Sequence, residues 1–344
     1  MRQIQLNNKL SGMVTAQDFN LIDDNIEIKD GEFLIQNIYC GTDPYRRVGM
    51  NFTKHSTPAW KLSEISPNAP IVGETVGQVI ESKNELVNVG TYIFHLEGWR
   101  EQTVLNTDSF FYPIVKKDDM DSWLKKYLTA HCLVGRTAYY SITRTMNVQP
   151  GDVLCVSGAM GGVGHLTVQY AKIKGAKVYG ITSTEQKAKK LEEWGVIPVI
   201  IPKDSSFDKK QKIFNTIPDE FNWYHENVGN EYFACAMNKM AVSSTISFCG
   251  AMESYNNTFP TPGPNISGVI YKDVTIKGCN FFSKTNNLAY DDDWQTEYED
   301  FLSENLDNIE TVHTIYEGIQ SMPQQFADHF ILPDTRIGKS LCKI

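Results

Sequence analysis

Gly158-Ala-Met-Gly161-Gly-Val-Gly164 is the stretch whose reading decides the fold. It follows the apolar run Val153-Leu-Cys-Val156 and opens a segment, Val163 to Lys174, with apolar residues at Val163, Leu166, Tyr170 and Ile173. Strand, glycine turn and helix in that order let backbone N–H groups approach a pyrophosphate at the positive end of the helix. Glycine spacing alone is weak, because ordinary strand-to-helix corners also use it, so the residues downstream carry the decision.

The second strand, Lys177-Val-Tyr-Gly-Ile181, ends in Thr182-Ser183-Thr184. An Asp or Glu there would hydrogen-bond the free 2′-hydroxyl of NAD, and its absence favours NADP. The next helix opens with a capping box, Ser183 to Gln186, and places Lys187, Lys189 and Lys190 early and Glu192 and Glu193 late. That order opposes the helix macrodipole, at roughly 0.3–1 kcal/mol per misplaced exposed charge. An anion at the helix start, such as a ribose 2′-phosphate, offsets it, and Lys187 in the first turn is the leading contact. The plainer alternative is a solvated charged face.

Composition narrows the function classes. With 41% hydrophobic and 21% charged residues, the 344-residue chain can bury one large or two ordinary cores. No apolar run reaches membrane-span length and the N-terminus has no leader-like core, so a cytoplasmic protein without membrane contact is expected. Seven scattered cysteines without a Cys-x-x-Cys pair read as buried reduced thiols, not as a structural zinc lobe. The net charge of −9 is concentrated between Thr285 and Thr335, which holds no Lys or Arg; such a face argues against nucleic acid as a partner. Its acidic helix, Trp294 to Leu306, is expected to be solvated.

Short β-like runs separated by Gly, Pro and Asn turns fill the first ~120 residues, predicting a mostly β domain on a partly open barrel. They are Phe33–Ile38, Ile71–Glu81 and Thr91–Phe94. A helix-like segment, Trp123 to Met146, then leads into candidate strands Val153–Val156, Lys177–Ile181, Pro198–Ile201, Asn222–Glu226, Thr245–Phe248 and Val274–Asn280. Four helical segments alternate with them, so the fold class is α/β, a doubly wound parallel sheet beside a β domain. The expected division is 1–122, completed by the tail 311–344, and 123–310.

Several further motifs occur in one order along the chain: Thr42-Asp-Pro-Tyr45-Arg46, Val72 to Gly77, Gly98-Trp-Arg-Glu101, Gly135-Arg-Thr-Ala-Tyr139, Glu226-Asn227-Val-Gly229, Cys249-Gly250-Ala-Met-Glu-Ser-Tyr255-Asn256 and Gly338-Lys339. With the glycine turn, they make the chain resemble the medium-chain dehydrogenase/reductase superfamily, in its zinc-free branch of prostaglandin, leukotriene, alkenal and curcumin reductases. The resemblance implies a GroES-like β-barrel domain, a Rossmann domain, NADPH in the cleft between them and a homodimer. It implies that Gly161, Gly162, Val163 and Gly164 hold the pyrophosphate, that Ser183 and Lys187 take the 2′-phosphate end, that Asn227 sits beside the nicotinamide ribose, and that Tyr255 closes over cofactor and substrate. Two positions depart from the pattern. Pro202 stands where an aromatic contact to the adenosine end is usual, and Arg336 stands where an Asn is usual, adding either a charged phosphate contact or a different loop.

Cys40-Gly-Thr-Asp43 also looks like the zinc-binding start of alcohol dehydrogenases, but the Gly-His-Glu partner motif is replaced by Val72-Gly73-Glu74, so no metal is expected. The implied chemistry is reduction of the activated C=C bond of an enone or alkenal by hydride transfer to the β carbon. Tyr255 is the first choice for enolate stabilisation or protonation and Tyr45 the second, and either is open to a purely packing role. Tyr45 to Asn51, Trp99 and Tyr255 to Pro262 are expected to line the substrate pocket. His95, His131, His165 and His225 form no recognisable nucleophile pair, so hydrolysis has no support, and His165 reads as a surface or packing residue. Quinone reduction on the same cofactor domain, and NADPH binding with a structural or RNA-related role, are the alternatives.

Overall fold

A computed structural model describes residues 1–50, 65–257, 263, 265–280 and 291–344. The strands are β1 (Arg2–Leu6), β2 (Phe19–Asp23), β3 (Glu32–Gly41), β4 (Thr75–Ser82), β5 (Tyr92–His95), β6 (Gln102–Asn106), β7 (Phe111–Ile114), β8 (Val153–Val156), β9 (Lys177–Thr182), β10 (Ile197–Ile200), β11 (Phe221–Glu226), β12 (Met240–Phe248), β13 (Thr275–Gly278), β14 (His313–Glu317) and β15 (Lys339–Lys343). The helices are α1 (Arg46–Gly49), α2 (Met120–Lys126), α3 (Leu133–Tyr140), α4 (Gly164–Ile173), α5 (Glu185–Glu193), α6 (Phe207–Thr216), α7 (Asn230–Lys239), α8 (Gly268–Lys272), α9 (Asp292–Asn305) and α10 (Met322–Ile331). They fall into two units, one of Met1–Cys132, His313–Pro333 and Lys339–Ile344, the other of Leu133–Val312 and Asp334–Gly338.

The second unit carries a six-stranded parallel sheet in the order β10-β9-β8-β11-β12-β13. Numbered from its own first strand, that order is 3-2-1-4-5-6, the doubly wound arrangement of dinucleotide-binding sheets, and the winding direction reverses between β8 and β11. Ligands of such sheets bind outside the carboxyl ends of the strands at this reversal. The β8 turn and the β11 end therefore mark the place to look.

The first unit is built on β3, whose ten residues alternate so that Phe33, Ile35, Asn37 and Tyr39 point inward. One edge of β3 pairs with β4; the other is shared by β6 along its first half and β15 at its end, which gives a branched, mostly antiparallel sheet. The strand β14 adds to β15 in parallel, and both lie in this unit.

Two boundaries differ from the sequence expectation. The units divide at Cys132 and Leu133, not at 122 and 123, because the expected single helix is broken there: Cys132 has extended backbone (φ −104°, ψ −161°). Leu124, Leu128 and Cys132 pack with Tyr39, Val76 and Phe94 of the first unit, whereas α3 packs along α4 in the second. Each half thus serves its own core. The tail is also interrupted, since Asp334–Gly338 belongs to the second unit.

The acidic helix α9 is less solvated than expected. Trp294, Tyr298 and Leu302 are buried, and Arg136 and Arg144 of the same unit pair with Glu299 and Glu297. No helix among the described residues is long and apolar enough to cross a membrane.

Candidate cofactor and active site

The glycine turn leaves β8 with Gly158 in the left-handed region (φ +57°) and enters α4 at Gly164. A Cβ on Gly164 would lie 2.2 Å from the Gly158 carbonyl oxygen, so only glycine lets the helix pack this closely on the turn. Gly161 is exposed, Gly162 and Val163 are half-buried, and no side chain caps the first turn of α4. Open space, backbone N–H groups and the positive helix end together fit a phosphate. His165, read from sequence as a surface or packing residue, is fully buried, and its ring Nδ1–H donates to the Gly161 carbonyl at 2.9 Å. It fixes the turn from within the helix, and only the i−4 spacing to a glycine hinted at this.

The segment Asp334–Gly338 is clamped to the same turn. Gly338 N–H donates to the Met160 carbonyl at 2.7 Å, and Gly338 (φ +62°) has no room for a side chain, since a Cβ would sit 1.7 Å from the Val312 oxygen. This clamp delivers Arg336, which is buried, to Lys187, also buried in the first turn of α5. Burial holds the Lys187 ammonium below the ordinary lysine range; Asp334 opposes that shift and the Arg336 cation adds to it. Two cations crowded at the end of β9 suit a dianionic group. Ser183 itself caps nothing: the N-cap of α5 is Thr184, whose hydroxyl accepts from Lys187 N–H at 3.4 Å, one residue later than the expected box. The extended backbone of Thr184 (φ −136°, ψ 154°) fixes the cap there.

Across the reversal point, the end of β11 is held by a buried polar network. The Glu226 carboxylate accepts from Val228 N–H (2.6 Å), Gly229 N–H (2.9 Å) and the Ser157 hydroxyl. Burial raises the pKa of Glu226 above the usual carboxylate range, while these donors oppose the shift. Asn227 donates its side-chain amide to the Ser157 carbonyl (2.7 Å) and accepts at Oδ1 from His225 Nε2–H (3.2 Å). The other ring nitrogen of His225 accepts from Ser141, which in turn bonds Ser247. Burial pushes the His225 pKa down to about 4, so the imidazole is neutral and this tautomer aims Asn227. Sequence reading named Asn227 but missed the Ser141–His225 support.

Tyr255 closes the same corner. Gly250 and Cys249 both donate backbone N–H groups to the Glu226 carbonyl, Met252 N–H donates to the Asn227 carbonyl at 3.2 Å, and the Tyr255 hydroxyl folds back to accept from Ala251 N–H at 3.4 Å. Burial pushes its pKa up to about 12, which keeps the phenol protonated at neutral pH.

In the first unit Tyr45 is half-buried with the Arg46 guanidinium 4.9 Å from its ring centre, and burial pushes its hydroxyl up to about 12. Trp99 corrects an expectation. It is fully buried, packed on Phe19 and Phe326, with Nε1–H donating to the Gly41 carbonyl at 3.3 Å, so it is a core residue and lines no open pocket. Asn51 and 258–262, also expected to line the pocket, lie outside the described residues. Lys339 was legible only as part of a terminal motif. Its ammonium, 1% exposed, bonds both Asp43 oxygens (2.8 and 2.9 Å) and Glu74 (2.7 Å). The two carboxylates beside Cys40 are thus already occupied by a cation of the chain itself. Burial pushes the Cys40 thiol up to about 12.

Residues 2–112 match the model of the N-terminal domain of oxidoreductases, and residues 162–304 match that of zinc-binding dehydrogenases. The chain belongs to the medium-chain dehydrogenase/reductase superfamily. It falls in the branch of the prostaglandin and curcumin reductases. Prostaglandin reductase 1 of Bos taurus is 27% identical over 340 residues, covering 96% of this chain and 95% of its own length. The NADPH-dependent curcumin reductase of Escherichia coli is 24% identical, with 97% and 94% covered. The crystal structure of CurA from Vibrio vulnificus superposes with a TM-score of 0.84 at 25% identity, covering 99% and 98% of the two chains.

Proposed function

We propose that this protein reduces the activated C=C bond of α,β-unsaturated ketones and aldehydes, using NADPH and no zinc. Bound NADPH supplies the hydride, which goes to the carbon β to the substrate carbonyl. The chain's own residues do the rest. The turn from Gly161 to Gly164 holds the pyrophosphate, Lys187 and Arg336 hold the 2′-phosphate with Ser183 beside them, and Asn227, aimed by His225, orients the nicotinamide ribose.

The observation that carries the reading is the corner formed by Asn227, Gly250 and Tyr255 at the carboxyl end of the parallel sheet. The protonated Tyr255 hydroxyl donates to the carbonyl oxygen as negative charge develops there and is the first candidate for returning a proton to the α carbon. Tyr45 is the second. A substrate that delocalises its own charge needs no metal to polarise it, and the Lys339 ammonium between Asp43 and Glu74 supports a zinc-free site. The organic partner is a small enone or alkenal.

The test is NADPH oxidation by chelator-treated protein against conjugated enones, alkenals and quinones, with products identified by mass and NMR. Saturated ketones or aldehydes support the proposal; turnover of quinones alone refutes it.

A further inference from the structure

The end of β12 and the end of β13 bring two thiols together. In the parallel register Phe248 faces Gly278, and the ladder continues one step further, with Cys279 N–H donating to the Phe248 carbonyl at 2.9 Å. Cys249 and Cys279 therefore stand opposite one another on the same side of the sheet, since partners in a parallel pair share a face. The two thiols are close enough to shift each other's ionisation, and the Cys279 thiol also donates to the Thr137 carbonyl at 3.9 Å. Both are reduced; Cys249 is half-buried and Cys279 is 8% exposed. The pair adjoins the corner described above, because Cys249 N–H and Gly250 N–H share the Glu226 carbonyl.

We propose that Cys249 and Cys279 form an oxidation site for hydroperoxides, and that closing their disulfide distorts the Asn227–Tyr255 corner and weakens NADPH binding. The chemistry balances. One thiolate attacks the terminal peroxide oxygen, the O–O bond breaks, and an alcohol (water from hydrogen peroxide) leaves with a sulfenic acid formed on that sulfur. The second sulfur then attacks the sulfenic sulfur, the S–O bond breaks, and the hydroxide leaves as water with the second thiol's proton. Two thiols lose two hydrogens and the hydroperoxide takes both electrons.

Reactivity and geometry agree. Contact with Cys249 brings the Cys279 thiol below the ordinary thiol range against the opposing effect of burial, while the Cys249 thiol moves up. A disulfide requires the Cα atoms within about 4.4–6.8 Å, a spacing adjacent strands meet, but S–S contact near 2.05 Å draws the two strand ends together. Cys249 and Gly250 lead directly into the loop that seats Tyr255. A second cross-strand pair in the first unit supplies an internal control: Cys342 faces Cys40 across β15 and β3, yet both are fully buried and their sulfurs engage Ser321 and Thr75 instead of each other. That pair should resist.

The consequence for NADPH rests on the proposed function, whereas the cross-link does not, and the experiment separates them. The intact protein is treated with hydrogen peroxide, blocked with an alkylating agent and mapped by mass spectrometry, and NADPH binding is followed by fluorescence before and after. We expect a peptide linking Cys249 to Cys279, the loss of two hydrogens, weaker NADPH binding, and reversal of all three by dithiothreitol. Cys279→Ser should yield no linked peptide and retain NADPH binding after peroxide; the wild-type map decides even if this variant folds poorly. Reduced thiols at both positions, separate oxygenation of each, or a Cys40–Cys342 link instead overturns the site. A mapped link that leaves NADPH affinity unchanged overturns the coupling. Failure of the reduced protein to bind NADPH at all counts against the proposed function and not against the dithiol.

Discussion

Two buried lysines solve opposite electrostatic problems. Lys339 in the first unit is enclosed by two carboxylates, Asp43 and Glu74, and the chain neutralises it internally, with an excess of negative charge. Lys187 in the second unit lies near one carboxylate, Asp334, and near a second cation, Arg336. Burial costs both ammonium groups hydration, but their pKa values move in opposite directions: that of Lys339 is raised by its carboxylates against burial, and that of Lys187 is lowered. The first is an ion cluster that the chain completes by itself. The second is left with an excess of positive charge, which under the proposed function the cofactor's 2′-phosphate would neutralise.

The largest effect is expected from removing the compensated charge. Lys339→Met leaves two buried carboxylates facing each other, and uncompensated burial of this kind costs about 3–5 kcal/mol. Urea unfolding should show that loss, with partial recovery on adding Glu74→Gln; a loss under about 1 kcal/mol would mean the cluster is solvated or relaxes freely. Next, Tyr255→Phe should lower kcat by roughly 100-fold while leaving NADPH affinity nearly intact, the size typical of losing one general acid or oxyanion donor. Unchanged turnover would remove Tyr255 from the chemistry.

Lys187→Ala sharpens the other half of the comparison. It should weaken NADPH by roughly 10- to 100-fold, the worth of a charge-assisted hydrogen bond, and leave NADH affinity unchanged. Equal losses for both cofactors would show that Lys187 supports the fold and not the 2′-phosphate.

A pH slope is shared by both units. Burial lowers the pKa of His225 to about 4 and that of His95 to about 3, so each stays neutral in the native protein while the unfolded chain takes up its proton near pH 6.5. Between pH 6.5 and 4 the unfolded state binds more protons, and stability must fall as the pH falls. Thermal midpoints should be level from pH 7 to 8 and decline below 6.5, less steeply in His225→Asn.

The same contrast explains what the sequence disclosed. In the second unit β8 matches its expected bounds and the other strands apart from β12 lie within two residues of theirs, because buried parallel strands alternating with amphipathic helices write strong periods. The strand β12 starts five residues before the expected Thr245, at Met240, because its opening Met-Ala-Val-Ser-Ser shows no period-2 alternation. In the first unit β2, β6 and β7 carry mixed polar and apolar residues and went unread. Site residues divide likewise. Glycines and Lys187 sit at fixed offsets in a local motif, whereas the Lys339 cluster joins positions 43, 74 and 339, and His165 and His225 act through hydrogen bonds that no spacing announces. Trp99 was misplaced because an aromatic beside a motif reads alike whether it faces a pocket or a core.

The most direct measurement follows the hydride itself. The chelator-treated protein would be incubated with NADPH deuterated at C4 and a 2-alkenal, and the product examined by NMR. Deuterium on the carbon β to an intact aldehyde is the expected result; deuterium on the carbonyl carbon of an allylic alcohol would contradict double-bond reduction and the role given to Tyr255.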